Sequence, residues 1–488
     1  GPAWTPKEES QIWLELGQLM KGNPNLIGQN IFAFDLDWLL NYGIEPSGIL
    51  MDTMSAFAFC YPEFPKSLEF INSIHGSLPF YKIDSQTWGK GFPDDRLYEY
   101  NLKDVYSTLE CSWAIENDLK EANLWQLYQD YCIPVHWMAL EMQKRRIHVD
   151  IAENSRARLI IFEELQRVAL ARQDMLRKYE PEFVTAGLVA GTKKKPIPVT
   201  AETFNVGSPR HMQALIFNIM KLPKRHNRKT KKITTQEEAL LDLIAYYPER
   251  TDELKLLMSE KHLSKALDYT DYKLDPDGML ACQINFPGTK SFRFSMSQSP
   301  QGYGFNGQTP PRWSRGQYVP PVGEIFISRD LAQVEARVVA ALARCTRQLT
   351  KFADPNWSIH KELGKDIYGY TPEKDTPQYV ASKGGIHGGN FREGPLKLAR
   401  STGVALKEAR FAITGYHRKY PEIKHWHESV RQQIYKKGQF VNPFGFRRVM
   451  FGARGMLELK GYLDDSFWNE ACNVVPQSVP PFIINQAI

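Results

Sequence analysis

Two groups of residues in this chain have types and spacings that could do chemistry. In "GEIFISRDLAQVEARVVAALA", Glu324 to Ser328 read as a buried strand and Leu331 onward as a helix. Asp330 is then expected at the carboxyl end of the strand, where a carboxylate projects into a cleft, with Gln333, Glu335 and Arg337 on the first helical turns. An aspartate in that place is equally a helix cap. The second group is Lys383, His387 and Phe391 in "YVASKGGIHGGNFREGP". Four-residue intervals put a cation and two rings on one helical face, although a lysine on an ordinary surface helix has the same pattern.

Metal chemistry is constrained by what the sequence lacks. The six cysteines are far apart with no C-x-x-C pair, and the eleven histidines give no H-E-x-x-H spacing. That argues against a zinc site and a disulfide framework, and suits a reducing cytoplasm. A catalytic metal would be held by carboxylates, which favours Mg2+, with Mn2+ able to substitute.

With these residues in view, "DLAQVEAR" resembles the D-Y-S-Q-I-E-L-R signature of family A (polymerase I-like) DNA polymerases, through Asp330, Gln333, Glu335 and Arg337. The resemblance implies template-directed addition of deoxynucleotides to a primer 3′ end. Asp330 and the Leu331 carbonyl would bind two magnesium ions that stabilise the attacking and leaving oxygens. Glu335 would pack under the incoming sugar and exclude ribonucleotides. "GTKSFRFSMSQSPQGYGFNGQTPP" resembles the template- and primer-contacting segment, with Arg293, Ser295, Asn306 and Gln308 as DNA contacts. "YVASKGGIHGGNFREGP" occupies the place of the fingers helix, so Lys383 would meet the triphosphate while His387 and Phe391 line the nucleotide pocket. His360 in "WSIHKELGKDIYG" belongs with them.

Further matches implied by the resemblance are Arg337 and Arg448 as DNA contacts, with Asn473 and Gln477 beside the primer end. There are departures. Tyr379 stands where an arginine is usual, Arg392 replaces a glycine, and Pro480-Pro481 is expected to interrupt the last helix. Four glycines (Gly384, Gly385, Gly388, Gly389) each cost about 1 kcal/mol against alanine inside a helix, so a weak fingers helix is expected unless packing supports it. The family's final His-Asp-Glu motif is not found before Ile488, which would leave the two-metal site incomplete.

Near the start, "GQNIFAFDLDWLL" resembles the second motif of DnaQ-like 3′–5′ exonucleases through Asn30, Phe34 and Asp35. "YEYNLKDVYSTLE" resembles the third through Tyr100 and Asp104. Asp35 and Asp104 would be metal ligands and Tyr100 would orient water; the alternative is a helix cap and a core aromatic. The first D-x-E motif is not found before Asn30. A fragment, or a chain completed by a partner polypeptide, is the expectation.

These sites need several elements to hold them. At 488 residues, two to four domains are expected. The expected fold is α/β and α+β multidomain: a truncated RNase H-like exonuclease domain followed by a right-hand polymerase. The expected divisions are 1–122 exonuclease-like, 123–275 helical connector and thumb, 276–345 palm, 346–435 fingers and 436–488 the rest of the palm. The net charge of +6 is modest, but Lys193, Lys194 and Lys195 form one basic run, and Lys221, Lys224, Arg225, Arg228, Lys229, Lys231 and Lys232 form another. Both could neutralise phosphates or be solvated loops. Gly191 to Pro198 reads as a loop. The segment style resembles bacteriophage members of the family, which would place the protein in the cytoplasm of a bacterial host. The partners implied are primer–template DNA, deoxynucleoside triphosphates and a processivity factor or complementing fragment. No run of about 18 apolar residues marks a membrane span, and Gly1-Pro2 resembles a cleavage scar. The contrasting reading is a non-catalytic primer–template-binding protein; a free-standing nuclease would need the D-x-E motif.

Overall fold

The structure, a computed structural model, describes residues 4–82, 94–192, 195–227, 230–374 and 376–487. Lys193, Lys194, Arg228 and Lys229 of the basic runs lie outside these, as do Gly1, Pro2 and Ile488. The chain divides into two compact units: Gly1–Arg146, Ala281–Gln308 and Ser328–Ile488 form one, Ile147–Leu280 and Thr309–Ile327 the other.

The first unit has two large cores. One begins at a short parallel pair, Leu26–Gly28 beside Ile49–Asp52. Asp52 then caps the helix Thr53–Cys60, its Oδ1 accepting from the Met54 and Ser55 amides at 3.0 and 3.3 Å. Every residue of that helix except Met54 is buried, as its near-continuous apolar sequence requires. Phe57, Phe59 and Tyr128 pack there with Phe292, Phe446 and Phe482. Residues 1–122 therefore share a core with segments hundreds of positions away. The second core gathers Val339, Ile386, Tyr416, Ile423 and Val475.

Helices that frame the second core include Val334–Leu342, Ile359–Tyr368, Pro377–Asn390, Leu406–Lys419, Pro421–Lys437 and Asp465–Ala487. Thr376 caps the glycine-rich helix Pro377–Asn390, and its glycines are the reason it packs so closely. A Cβ on Gly389 would lie 2.2 Å from Tyr416, on Gly384 2.6 Å from Leu398, and on Gly385 3.1 Å from Ala412. Tertiary packing thus offsets the propensity cost that the sequence predicts.

Four expectations are corrected. Glu324–Ser328 forms no strand: Ile325 and Ile327 are 79% and 71% exposed, and among the described residues no strand pairs with them. The following helix starts at Val334, not Leu331, because Gln333 adopts a left-handed backbone (φ 55°). Pro480-Pro481 does not interrupt the helix Asp465–Ala487, which also runs through Pro476. Each proline removes an amide donor and crowds the carbonyl one turn earlier, and burial of Val475, Val479 and Phe482 offsets that cost. Within the stretch expected to be a loop, Gly191–Thr192 and Lys195–Pro198 belong to an antiparallel pair, Val189–Thr192 with Lys195–Pro198. The turn at Asn442–Phe446 closes a hairpin that joins Gln439–Val441 to Arg447–Val449.

The second unit packs the helix Ile151–Arg177 against Thr251–Leu267, with Arg172 and Glu260 forming a buried pair at 2.9 Å. Ile147–Val149 is the central strand between Met279–Leu280 and Tyr318–Val319. A separate core from Leu176 to Met258 supports the basic segment. There Asn227 donates to the Lys232 carbonyl and Thr234 to the Arg225 carbonyl, at 2.8 and 2.9 Å, so a narrow hairpin displays exposed Lys224, Lys231 and Lys232.

Candidate active site

The structure brings together residues that the sequence spreads over a hundred positions. Arg293 follows Phe292, whose left-handed backbone (φ 61°) and complete burial turn the chain outward. Its Nη2 donates to Glu335 Oε1 at 2.7 Å. The second Glu335 oxygen lies 3.6 Å from His387 Nδ1. His387 stands beside Phe391 (ring centres 5.9 Å) and faces His360 (6.4 Å, nearly parallel). His360 in turn meets the edge of Tyr379 at 6.0 Å. Arg293, Glu335, His360, His387 and Phe391 therefore converge, with Lys383 exposed one turn before His387.

Burial sets the electrostatics. It drives the His360 imidazole down to about 4, helped by the charges of His387 and Lys383. His387 is also lowered, first by burial, with Glu335 opposing and Lys383 assisting. Two neutral rings beside one exposed ammonium make a surface that accepts an anionic group at one end and a flat apolar group at the other.

Other expected residues have different places. Gln333 accepts from the Ile359 amide at 2.9 Å and donates to the Trp357 carbonyl at 3.1 Å. It thereby holds the start of the helix that carries His360. Arg337 donates to the Ala332 and Phe352 carbonyls at 3.0 and 2.9 Å and lies over the Phe352 ring. Arg448 is almost wholly buried, bonded to Glu470 at 2.5 Å and paired with Glu63. A guanidinium held by two carboxylates inside the fold serves packing, which corrects the expectation of a DNA contact. Ser295 opens the strand Ser295–Gln298, Asn306 accepts from the Gln308 amide at 3.2 Å, and Gln308 donates to the Phe294 carbonyl at 3.0 Å. Asn473 and Gln477 are half-buried on the helix Asp465–Ala487.

Asp330 and Leu331 lie on the exposed stretch before Val334, and Leu331 helps to line an open apolar cleft of about 620 Å3 with Val334, Val338, Val479 and Ile483. Among the described residues no three His, Cys, Asp or Glu side chains are arranged to hold a metal ion. The donor set expected for a two-metal centre is thus not assembled from these residues. The same holds for the nuclease-like motifs. Asp104 accepts from Tyr81 at 2.6 Å and Lys82 at 2.5 Å, and Lys82 also donates to Tyr100 at 2.7 Å. A lysine ammonium therefore sits on the carboxylate expected to bind metal. Asp35 is exposed at the start of the helix Asp35–Asn41. Asn30 has a left-handed backbone (φ 59°) and donates its amide to Asp52 at 3.0 Å.

Sequence reasoning missed two features. Asp52 is buried and pushed up to about 6 by burial, against backbone donors from Ser55, Asn30, Phe32 and Met54; its place immediately before an apolar helix was the available signal. Arg392, legible in the sequence only as a departure from the family pattern, lies over the Trp468 ring and bonds Asn469 at 2.6 Å.

Known proteins resemble this chain in sequence and in fold. The family model described as DNA polymerase family A matches residues 175–477. The chain belongs to DNA polymerase family A. It is 25% identical over 467 residues to DNA polymerase I of Borreliella burgdorferi, covering 92% of this chain and 46% of that protein. It is 23% identical over 448 residues to DNA polymerase I of Synechocystis sp., covering 88% and 42%. The chain thus spans less than half the length of these curated relatives. A solved structure described as the POL domain of Pol1 from M. smegmatis in complex with DNA primer-template and dNTP has the same fold. Its TM-score is 0.72 at 18% identity, covering 99% of this chain and 78% of that one. No helix among the described residues is long and apolar enough to cross a membrane.

Proposed function

We propose that the chain is the polymerase body of a DNA-directed DNA polymerase that extends a primer 3′ end with deoxynucleotides. The observation that carries this is the Arg293–Glu335–His387 cluster, with Lys383 one turn before His387 on the same helix and Phe391 capping its end. In this reading Lys383 attracts the triphosphate, the neutral His387 and His360 rings and Phe391 flank the nucleotide, and Glu335 sits where it rejects a 2′-hydroxyl. Asp330, with the Leu331 carbonyl, contributes to binding Mg2+. Arg293, Ser295, Asn306, Gln308, Asn473 and Gln477 face the primer–template, and the exposed lysines of the second unit neutralise duplex phosphates. The division into thumb, palm and fingers, a phage replication role, and descent of the first 122 residues from a DnaQ-like nuclease belong to the same proposal.

A second reading, primer–template binding without catalysis, is favoured by one observation: the described residues assemble no carboxylate cluster for metal. Primer extension with magnesium and four deoxynucleotides separates the two, with Asp330→Asn as control. Extension abolished by the substitution supports the polymerase. Tight primer–template binding without extension by the unaltered chain selects the second reading.

A further inference from the structure

We propose that Arg392 is a positioning residue that couples the nucleotide-pocket helix Pro377–Asn390 to the helix Asp465–Ala487, so that nucleotide bound at the first tightens primer–template held at the second. The inference rests on the functional reading above and deepens it.

Arg392 leaves the pocket helix immediately after Phe391, in a left-handed conformation (φ 55°). Its Nη1 donates to Asn469 Oδ1 at 2.6 Å and its Nη2 to Asp465 Oδ1 at 3.3 Å. The guanidinium lies 3.1 Å from the Trp468 ring centre, and Arg431 lies 4.8 Å from the same ring. A second tie runs parallel. Trp468 Nε1 donates to the His427 carbonyl at 2.8 Å, and His427 Nε2 is hydrogen-bonded to the Asn390 carbonyl at 2.7 Å. Asn390 Oδ1 accepts from Tyr416 at 2.6 Å, and Tyr416 fills the notch at Gly389. The end of the pocket helix is therefore tied to the second helix directly through Arg392 and, by way of His427, through Asn390.

The recipients matter. Asn469, Asn473 and Gln477 fall at four-residue intervals, so the side chain that Arg392 grips shares a face with the two proposed primer contacts. On the other side, Phe391 and His387 precede Arg392 on the pocket helix. A shift of the pocket rings on nucleotide binding moves the anchor of the Asn469–Gln477 face. The planar fork of arginine sets register in a way that a lysine point charge does not. Coupling of this kind is reciprocal and is read as a ratio of affinities.

The test uses the full chain with a labelled, dideoxy-terminated primer–template and magnesium, comparing wild type, Arg392→Gly and Arg392→Lys. Glycine is unstrained at positive φ, so the backbone turn survives in the first variant, and the second keeps the charge. Primer–template Kd is measured by anisotropy with and without the next correct deoxynucleotide. The expected result is that nucleotide tightens wild-type binding roughly tenfold, while both variants keep the nucleotide-free Kd and tighten less than about threefold. Full tightening in the variants, or loss of nucleotide-free binding to the same extent, overturns the coupling. Wild type that binds primer–template but shows no tightening overturns it as well. Wild type that binds no primer–template fails the functional reading itself, and this inference with it.

Discussion

Arg293 and Glu335, forty-two residues apart in sequence, meet at 2.7 Å, and the other oxygen of the same carboxylate lies 3.6 Å from His387. One acid thus joins the segment after the Phe292 turn, the helix Val334–Leu342 and the glycine-rich helix. The pair is partly open to solvent, so its worth lies in geometry more than in stability.

Glu335→Ala is therefore expected to change folding stability by less than about 1 kcal/mol. It should raise ribonucleotide incorporation by about tenfold or more, since a discriminating contact is removed. Paired melting curves and single-nucleotide incorporation with deoxy- and ribonucleotides check both halves. Unchanged sugar selection would remove Glu335 from the proposed pocket.

Gly388 and Gly389 are adjacent but should respond oppositely to alanine. At Gly389 a Cβ would sit 2.2 Å from a fully buried Tyr416 ring, and overpacking of that kind costs about 1–3 kcal/mol. At Gly388 the nearest atom is 3.4 Å away, an ordinary van der Waals separation, so the propensity gain of up to about 1 kcal/mol dominates. Urea denaturation of the two variants gives the comparison, and equal shifts would contradict the packing account.

Glu362 predicts a pH dependence. Burial alone would raise its carboxyl, but hydrogen bonds from Lys351, Lys419, Trp357 and Tyr420 overcome that and hold it at about 2. A carboxyl depressed in the folded state contributes stability that is present above its ordinary value of 4.5 and is lost as pH falls toward 2. Glu362→Gln should then destabilise by about 2 kcal/mol at pH 7. The gap to wild type should close between pH 4.5 and 2, as followed by denaturant melts across that range.

Lys383→Ala should let both pocket imidazoles charge at higher pH, because its ammonium is one of the groups lowering His360 and His387. Burial remains the larger cause, so His360 should still be neutral at pH 7. Imidazole NMR titration of both proteins reads this directly.

Arg448→Ala should destabilise by about 3 kcal/mol, since it vacates a buried site and strands Glu63 beside it, while Glu470, 46% exposed, is left to solvent. Lys224→Ala and Lys231→Ala, on the exposed hairpin, should leave stability within about 0.5 kcal/mol. Each should lower the salt slope of DNA binding by roughly one where its ammonium neutralises a phosphate. Thermal melts and salt titrations of DNA affinity would separate the buried cation from the exposed ones. A fall in DNA affinity for Arg448→Ala in a normally stable protein would reverse that assignment.

The sequence by itself determined the helix that follows Gln333, the helix that carries Lys383 and His387, and the residue types of the pocket. Those features rest on local periodicity and motif spacing, which a single chain displays openly. Only the tertiary structure decided which polar groups face the site and which serve the fold. Arg448 and Arg293 look alike in sequence, yet one is enclosed by Glu63 and Glu470 and the other reaches Glu335. The apolar run Glu324–Ser328 has strand character, but a strand needs a neighbour for its backbone groups, and none among the described residues pairs with it. The glycine-rich helix reads as weak in sequence because its partners, Leu398, Ala412 and Tyr416, are distant along the chain and contribute only once it is folded. Burial and pairing are set by residues far along the chain, so they cannot be read from the neighbourhood of any one of them.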